Sequence, residues 1–347
     1  MKPIHAAELL IDKIKRDYTD DIALVVVMGS HIYGETHSRS DLDMFFVPKT
    51  ARGRKLEFTF ILDGIGYDFW GISWERLARI AAYEERITSI ITEGQVLYCA
   101  SQSDRERWEA LKASALDTGD RNKFVHKARA KLDEVYKDYA GLLGAASLSE
   151  ARRHALEIIY TVTTALALLN RITVKRGRGR LRGEILAMPL VPEDFASLYD
   201  TVFVCSDIAR IQAAYGQLIK NTEILIAHEE GTLGAEASFA EELTGFYEEL
   251  INYYNKIYHA CEIGDASGAL FPCVEIVHEI GEACAGTGVS TAHLPDIVGA
   301  YDPEKLEQLA AAAHEHQTQF VELLAANGVK LKEFGSWGKL ETFLESL

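Results

Sequence analysis

The sequence predicts an α+β protein in which a small mixed α/β unit comes first and helices follow. Three observations lead to that class. Short apolar runs separated by turn residues fill positions 23–100. Helical spacing of apolar residues takes over from about position 122. Two polar, glycine-bearing segments, "LDTGDRN" and "HEEGTLGAEAS", punctuate the chain between the parts. The expected domains are 1–118, 119–232 and 233–347.

Taken in order, "IHAAELLIDKIKRDY" at 4–18 spaces its apolar residues as a helix does. Strand candidates follow at 23–28, 42–47, 56–62 and 66–72, then a helix from Trp74 to Thr92 and a short strand at 95–100. Asp63-Gly64 reads as a hairpin turn between two of these strands. Beyond the first linker, helical patterns cover 122–143, 149–171, 193–200 and 206–228. Further helices are expected at 239–262, 269–285 and 303–326, with Pro and Gly between them.

A chain of 347 residues can hold two or three domains. Its net charge of −16 argues against a general nucleic-acid binder, because phosphate neutralisation needs clustered Lys and Arg. No run approaches the roughly eighteen apolar residues of a membrane span, and the N-terminus lacks a signal peptide's apolar core. Cys99, Cys205, Cys261, Cys273 and Cys284 form no CxxC pair and read as reduced, mostly buried thiols of a cytoplasmic protein. His31 and His37 assemble no metal-ligand set. "HEH" at 314–316 reads as a helix surface, and Tyr247, Tyr253, Tyr254 and Tyr258 as helix packing.

The informative stretch is "VVVMGSHIYGETHSRSDLDMFFV", from Val25 to Val47. Asp41 and Asp43 lie at i and i+2, so in a strand they share a face. Two carboxylates among Leu42, Met44, Phe45 and Phe46 repel one another and lose solvation, unless a cation sits between them. Mg²⁺ is suited to that place, being a hard ion that takes carboxylate and phosphate oxygens. Upstream, Gly29 and Ser30 follow an apolar strand, where a bare backbone and a hydroxyl can approach phosphates closely.

Gly-Ser, a loop of about ten residues and then Ser-Asp-Leu-Asp resemble the signature of the polymerase-β-type nucleotidyltransferase superfamily. The resemblance implies a mixed-sheet domain followed by a helical bundle region. It implies that Gly29 and Ser30 hold the nucleotide phosphates, with Mg²⁺ held by Asp41, Asp43 and a third carboxylate; Ser40 of the motif and Arg39 within its loop are further candidates for nucleotide contact. Asp68 in "GYDFWGISWERL" fits that third place. "VHKARAKLDEVYKDYAGLL", "ALALLNRITV" and "LVPEDFASLYDTV" are similar to the helical half of the kanamycin (aminoglycoside) nucleotidyltransferase family. There a carboxylate just before Tyr-Ala-Gly acts as general base, which implies that role for Asp138. Glu134, one helical turn earlier on the same face, could substitute or bind a cationic acceptor.

Two positions depart from the family pattern. Tyr33 stands where an arginine often follows the motif serine, and Leu142 stands where a lysine follows Tyr-Ala-Gly; both are triphosphate contacts in the family. The chain also holds a surplus of cations, Arg171, Lys175, Arg176, Arg178, Arg180 and Arg182, in "NRITVKRGRGRLRGE". One reading is a solvated basic loop. The other gives Arg178 and Arg180 a triphosphate or pyrophosphate contact, in this subunit's site or, in a homodimer, a neighbour's.

The expected activity is Mg²⁺-dependent transfer of a nucleoside monophosphate from an NTP, ATP foremost, to a hydroxyl of a small acceptor such as an aminoglycoside-like antibiotic. The net acidity suits a cationic acceptor. Two other classes stay open: an AMP-adding, antitoxin-type enzyme that modifies a protein, and a non-catalytic nucleotide sensor.

Overall fold

The structure, a computed structural model, describes residues 4–37, 39–234 and 237–346. It divides into two units, Met1–Glu230 and Gly231–Leu347, so residues on both sides of position 118 share the first unit. Ala235 and Glu236, in the second glycine-bearing segment, lie outside the described residues.

The first unit begins with α1 (Ile4–Asp17), β1 (Ile22–Val27), β2 (Met44–Pro48), β3 (Phe58–Leu62) and β4 (Ile65–Gly71). Next come α2 (Trp74–Ala81), α3 (Ser89–Thr92), β5 (Gln95–Cys99) and α4 (Gln102–Leu116). The strands form one mixed sheet in the order β3-β4-β2-β1-β5. Only β2 and β4 run parallel; the other neighbours are antiparallel. The turn from β3 to β4 has positive φ at both Asp63 and Gly64, as a two-residue hairpin requires.

Side chains alternate across this sheet. Val25, Val27, Met44, Phe46 and Phe69 pack on Ala7, Leu10 and Ile14 of α1. Leu24, Val26, Phe45 and Val47 pack on Leu77, Ile80, Ile91 and Trp108 of the helices behind the other face. Two covered faces explain why β1 and β2 read as continuous apolar runs.

The helix expected from Trp74 to Thr92 is interrupted. Tyr83 takes a left-handed φ of +62°, its ring meets Phe124 edge-on, and its hydroxyl donates to the Ala115 carbonyl at 2.8 Å. That burial outweighs helical periodicity. Thr88 then closes the break by donating to the Ile80 carbonyl at 2.9 Å.

The rest of the unit is helical: α5 (Arg121–Asp133), α6 (Val135–Leu143), α7 (Leu148–Asn170), α8 (Leu181–Leu186), α9 (Phe195–Val204) and α10 (Ile208–Glu230). The single helix expected over 122–143 is stepped at Glu134. Central α7 buries Ile158, Val162 and Leu166 among α5, α6 and α10. The periodicity did not announce α4, which buries only Trp108 and Ala115.

The second unit holds α11 (Phe239–Glu242), α12 (Phe246–Ile263), α13 (Ala266–Cys284), α14 (Leu306–Ala326) and α15 (Trp337–Glu345). Its core joins Leu250, Ile257, Ile276, Leu309 and Phe320. His314 and Glu315 lie exposed on α14, as the helix-surface reading of "HEH" expects, but His316 is buried, which corrects that reading for the third residue. His316 shares a 2.7 Å hydrogen bond with the Tyr254 hydroxyl, and burial lowers its pKa to about 4. Gln317 bridges the Tyr247 and Tyr258 hydroxyls at 2.7 Å each.

Cys273 and Cys284 are buried, and the other three thiols are half-buried. Among the described residues no helix is long and apolar enough to cross a membrane.

Candidate active site

Gly29 opens the motif loop just past the end of β1. Its φ is +70°, and Gly29–His31 forms a short 3-10 turn. A side chain at Gly29 would strike Asp43: a Cβ would sit 2.8 Å from Cγ and 2.9 Å from Cβ and would overlap Oδ2. Glycine is thus required twice, by the backbone angle and by the carboxylate that presses on it. The loop folds back through Glu35 N–H, which donates to the Ser30 carbonyl at 3.1 Å.

Asp41 and Asp43 were expected inside the second strand; they stand at its entrance, because β2 begins at Met44. The Met28 N–H still donates to the Asp43 carbonyl at 2.9 Å, which holds that residue in line with the sheet. Met44 pairs with Phe69 in the parallel ladder, so extending the register by one residue sets Asp43 beside Asp68 of β4. By alternation both lie on the face that holds Phe45 and Ile72.

The Asp43 side chain reaches solvent, yet the protein around it pushes its carboxyl above the usual carboxylate range, and the Asp41 charge adds to the push. No Lys or Arg pairs with Asp41, Asp43 or Asp68 among the described residues. Nor do any three His, Cys, Asp or Glu side chains among them converge into a closed metal-ligand set. The donor chemistry nevertheless fits Mg²⁺, since uncompensated hard carboxylates share one face and a substrate phosphate can complete the shell.

The other motif-loop residues are turned to structural use. The Ser40 hydroxyl accepts the His37 N–H at 2.9 Å, and the Arg39 N–H donates to His37 Nδ1 at 3.1 Å. His37 and Ser40 border a different cavity, of about 700 Å³, walled by Leu10, Phe60 and Phe69 on the α1 side of the sheet.

The arginine-rich loop lies beside the motif loop. Asn170 fixes its base by donating to the Leu190 carbonyl at 2.7 Å and accepting the Leu190 N–H at 2.8 Å. The Glu184 carboxylate accepts the Lys175 and Arg176 N–H groups at 2.7 Å each. Lys175 pairs with Glu93 at 2.9 Å; Arg176 and Arg180 reach Glu35 at 3.5 and 3.9 Å. Arg176 also lies over the Tyr33 ring at 5.1 Å. Burial, with Glu93 and Glu184 nearby, pushes the Tyr33 hydroxyl up to about 12. Arg182 is committed elsewhere, to Asp200 through two 2.7 Å hydrogen bonds. Arg178 is exposed and has no ion pair among the described residues.

Two adjoining cavities run along α7. One, of about 230 Å³, is lined by Lys175, Arg178, Ser89 and Thr88 over a floor of Ala167 and Leu168. The other, of about 540 Å³, is lined by Asp133, Glu134, Asp138 and Glu157. Arg86, Tyr160 and Thr164 belong to both, and the Arg86 guanidinium lies 4.6 Å over the Tyr160 ring. The first cavity sets Arg86, Lys175 and Arg178 against Glu85, while the second mixes its four carboxylates with Arg86, Lys131 and Lys137.

Asp138 and Glu134 therefore share a cavity, as their helical spacing implied, with Glu134 paired to Lys131 at 2.6 Å. Leu142 is fully buried, so no group at that position reaches a ligand. Sequence reasoning missed Arg86 and Tyr160, which carry no motif, and His154, which contacts Asp138 at 3.0 Å from sixteen residues away.

No protein-family model matches the chain, and no curated protein matches it either. Among solved structures the chain is similar to a nucleotidyltransferase-like protein from Exiguobacterium sibiricum, at 11% identity and a TM-score of 0.37. That match covers 63% of this chain and 73% of the other.

Proposed function

We propose that this chain is a nucleotidyltransferase that moves a nucleoside monophosphate from Mg²⁺–ATP to a hydroxyl of a small cationic acceptor. The observation that carries the reading is the fit of Gly29 against Asp43. It brings the Gly29-Ser30 turn and the paired aspartates together at one end of the sheet, with Asp68 in the adjacent register. Asp41, Asp43 and Asp68 would hold Mg²⁺, which when bound supplies charge neutralisation at the reacting phosphate.

The chain's own groups do the rest. The bare Gly29 backbone and the Ser30 hydroxyl seat the phosphates, and Arg178, with Arg180 and Arg176 drawn from Glu35, meets the charge of the leaving pyrophosphate. Asp138 takes the proton of the acceptor hydroxyl as that oxygen attacks the α-phosphorus and the bond to pyrophosphate breaks. The carboxylates Asp133 and Glu157, which share their cavity with Arg86, Lys131 and Lys137, would receive the amino groups of an acceptor such as an aminoglycoside.

A second reading, a nucleotide sensor without catalysis, is favoured by buried Leu142 and by the arginines already paired with Glu35. Calorimetric titration with ATP and Mg²⁺, alongside pyrophosphate release with kanamycin as acceptor, separates the two. Binding with release supports the transferase, and binding without release across a panel of amino sugars supports the sensor. No ATP binding removes both.

A further inference from the structure

We propose that His154 is a positioning residue for Asp138, holding one carboxylate oxygen in place through a fixed ring tautomer; this rests on the reading of Asp138 as general base. Arg153 Nη2 lies 2.8 Å from His154 Nε2. An arginine N–H can only donate, so Nε2 accepts and the ring proton resides on Nδ1. That Nδ1–H donates to Asp138 Oδ1 at 3.0 Å. Both ring nitrogens are then engaged, and the ring has no free site from which to relay a proton.

The backbone is shaped to admit this ring. A Cβ at Gly141, one helical turn after Asp138, would lie 2.6 Å from His154 Nε2 and 2.7 Å from Nδ1. The glycine of Tyr-Ala-Gly is thus the hole into which the imidazole fits. Tyr139 is seated in the same way: a Cβ at Gly216 of α10 would come 2.5 Å from its hydroxyl. Both neighbours of the carboxylate are keyed into other helices.

The side chains of His154 and Asp138 are only 16% and 28% exposed. Oδ1 is taken by the ring, while Oδ2 has no hydrogen bond to another described residue and Asp138 lines the cavity of about 540 Å³. His154 leaves one oxygen, in one orientation, to accept a proton from an acceptor hydroxyl. A carboxylate on a helix surface without that tether would sample several rotamers.

The first test needs no acceptor. Long-range ¹H–¹⁵N correlation of the histidine rings in the full chain, near about pH 7.5, should show His154 as the neutral Nδ1–H tautomer. Asp138→Ala should abolish that preference. An Nε2–H tautomer or an imidazolium overturns the inference.

The second test uses ATP affinity and pyrophosphate release with kanamycin as probe acceptor. His154→Asn, whose amide N–H replaces the Nδ1 donor, should keep most of kcat. His154→Phe, which fills the Gly141 hole without a donor, should lower kcat about tenfold or more with ATP affinity unchanged. Equal losses in the two variants, or a loss confined to KM, reduce His154 to a packing residue and overturn the proposal. If Asp138→Asn turns over like wild type, or wild type releases no pyrophosphate, the base reading falls and this inference with it. If Asp138→Asn is damaging but the tautomer is wrong, this inference alone falls.

Discussion

Gly29→Ala is the most direct probe of the candidate site, because two separate costs can be worked out for it. The backbone angle of +70° is one that an L-residue adopts at roughly 1–2 kcal/mol. The new methyl would also overlap the Asp43 carboxylate, 2.8 Å from Cγ, and displacing a packed group typically costs about 1–3 kcal/mol. The expected loss of stability is therefore about 2–5 kcal/mol. The two parts separate in an Asp43→Ala background, where Oδ2 and Cγ are gone and chiefly the backbone term remains. A coupling energy of at least about 1 kcal/mol should appear in the double-mutant cycle. Urea denaturation followed by tryptophan fluorescence suits the measurement. Trp74 and Trp108 are buried in the first unit, whereas Trp337 of the second is 82% exposed and contributes little change. Equal costs of Gly29→Ala with and without the Asp43 carboxylate would refute the contact on which the site is built.

Three further outcomes are expected. Asp43→Asn should abolish nucleotidyl transfer while the thermal midpoint of the metal-free protein stays level or rises, because the protein packed around Asp43 and the Asp41 charge both disfavour its carboxylate; near wild-type turnover would refute its metal role. Arg178→Ala with Arg180→Ala should weaken ATP about tenfold or more, at roughly 1.5–3 kcal/mol per charged hydrogen bond, and weaken AMP much less; unchanged ATP affinity would make the loop a solvated surface. The folded His316 pKa of about 4 lies below its usual value, so unfolding takes up a proton between about pH 6.5 and 4. Stability of the second unit, present in full above that window, should fall by about 3 kcal/mol as pH drops through it. Hydrogen exchange of α12 and α14 amides measures that fall, and an equal slope in His316→Gln would refute it.

Much of the sheet was legible because its chemistry is local. Strands with both faces covered carry apolar residues at nearly every position, and Asp63-Gly64 supplies the two left-handed residues of a hairpin. The aspartate pair was legible because carboxylates beside core residues violate a local rule. What escaped was decided by partners distant in sequence. Tyr83 breaks a helix that periodicity would continue, because Phe124 and the Ala115 carbonyl receive its ring and hydroxyl. His316 is polar by composition yet buried, because Tyr254 lies opposite it across the bundle. Asp138 is singled out in the sequence by the three residues that follow it, whereas His154, which fills the space a side chain on the third of them would need, lies in the next helix.

The arrangement of cations follows the same logic. A count along the chain sets two missing contacts, Tyr33 and Leu142, against five cations at 175–182, as though any of the five could serve. The fold makes them unequal. Arg182 holds α8 to α9 through Asp200, and Lys175 ties the loop to Glu93. Arg176 and Arg180 sit within 3.9 Å of Glu35, a carboxylate in the motif loop itself, and Arg176 lies over the ring of Tyr33. The guanidinium charge over Tyr33 thus comes from a different segment of chain than the motif loop itself. Such an arrangement leaves the charge in the neighbourhood of the motif while making it conditional on the loop's position. An arginine fixed in the motif serves phosphate whenever phosphate arrives. On the proposed reading, arginines held by Glu35 exchange one anion for another, and a triphosphate, with several oxygens against two, would win that exchange.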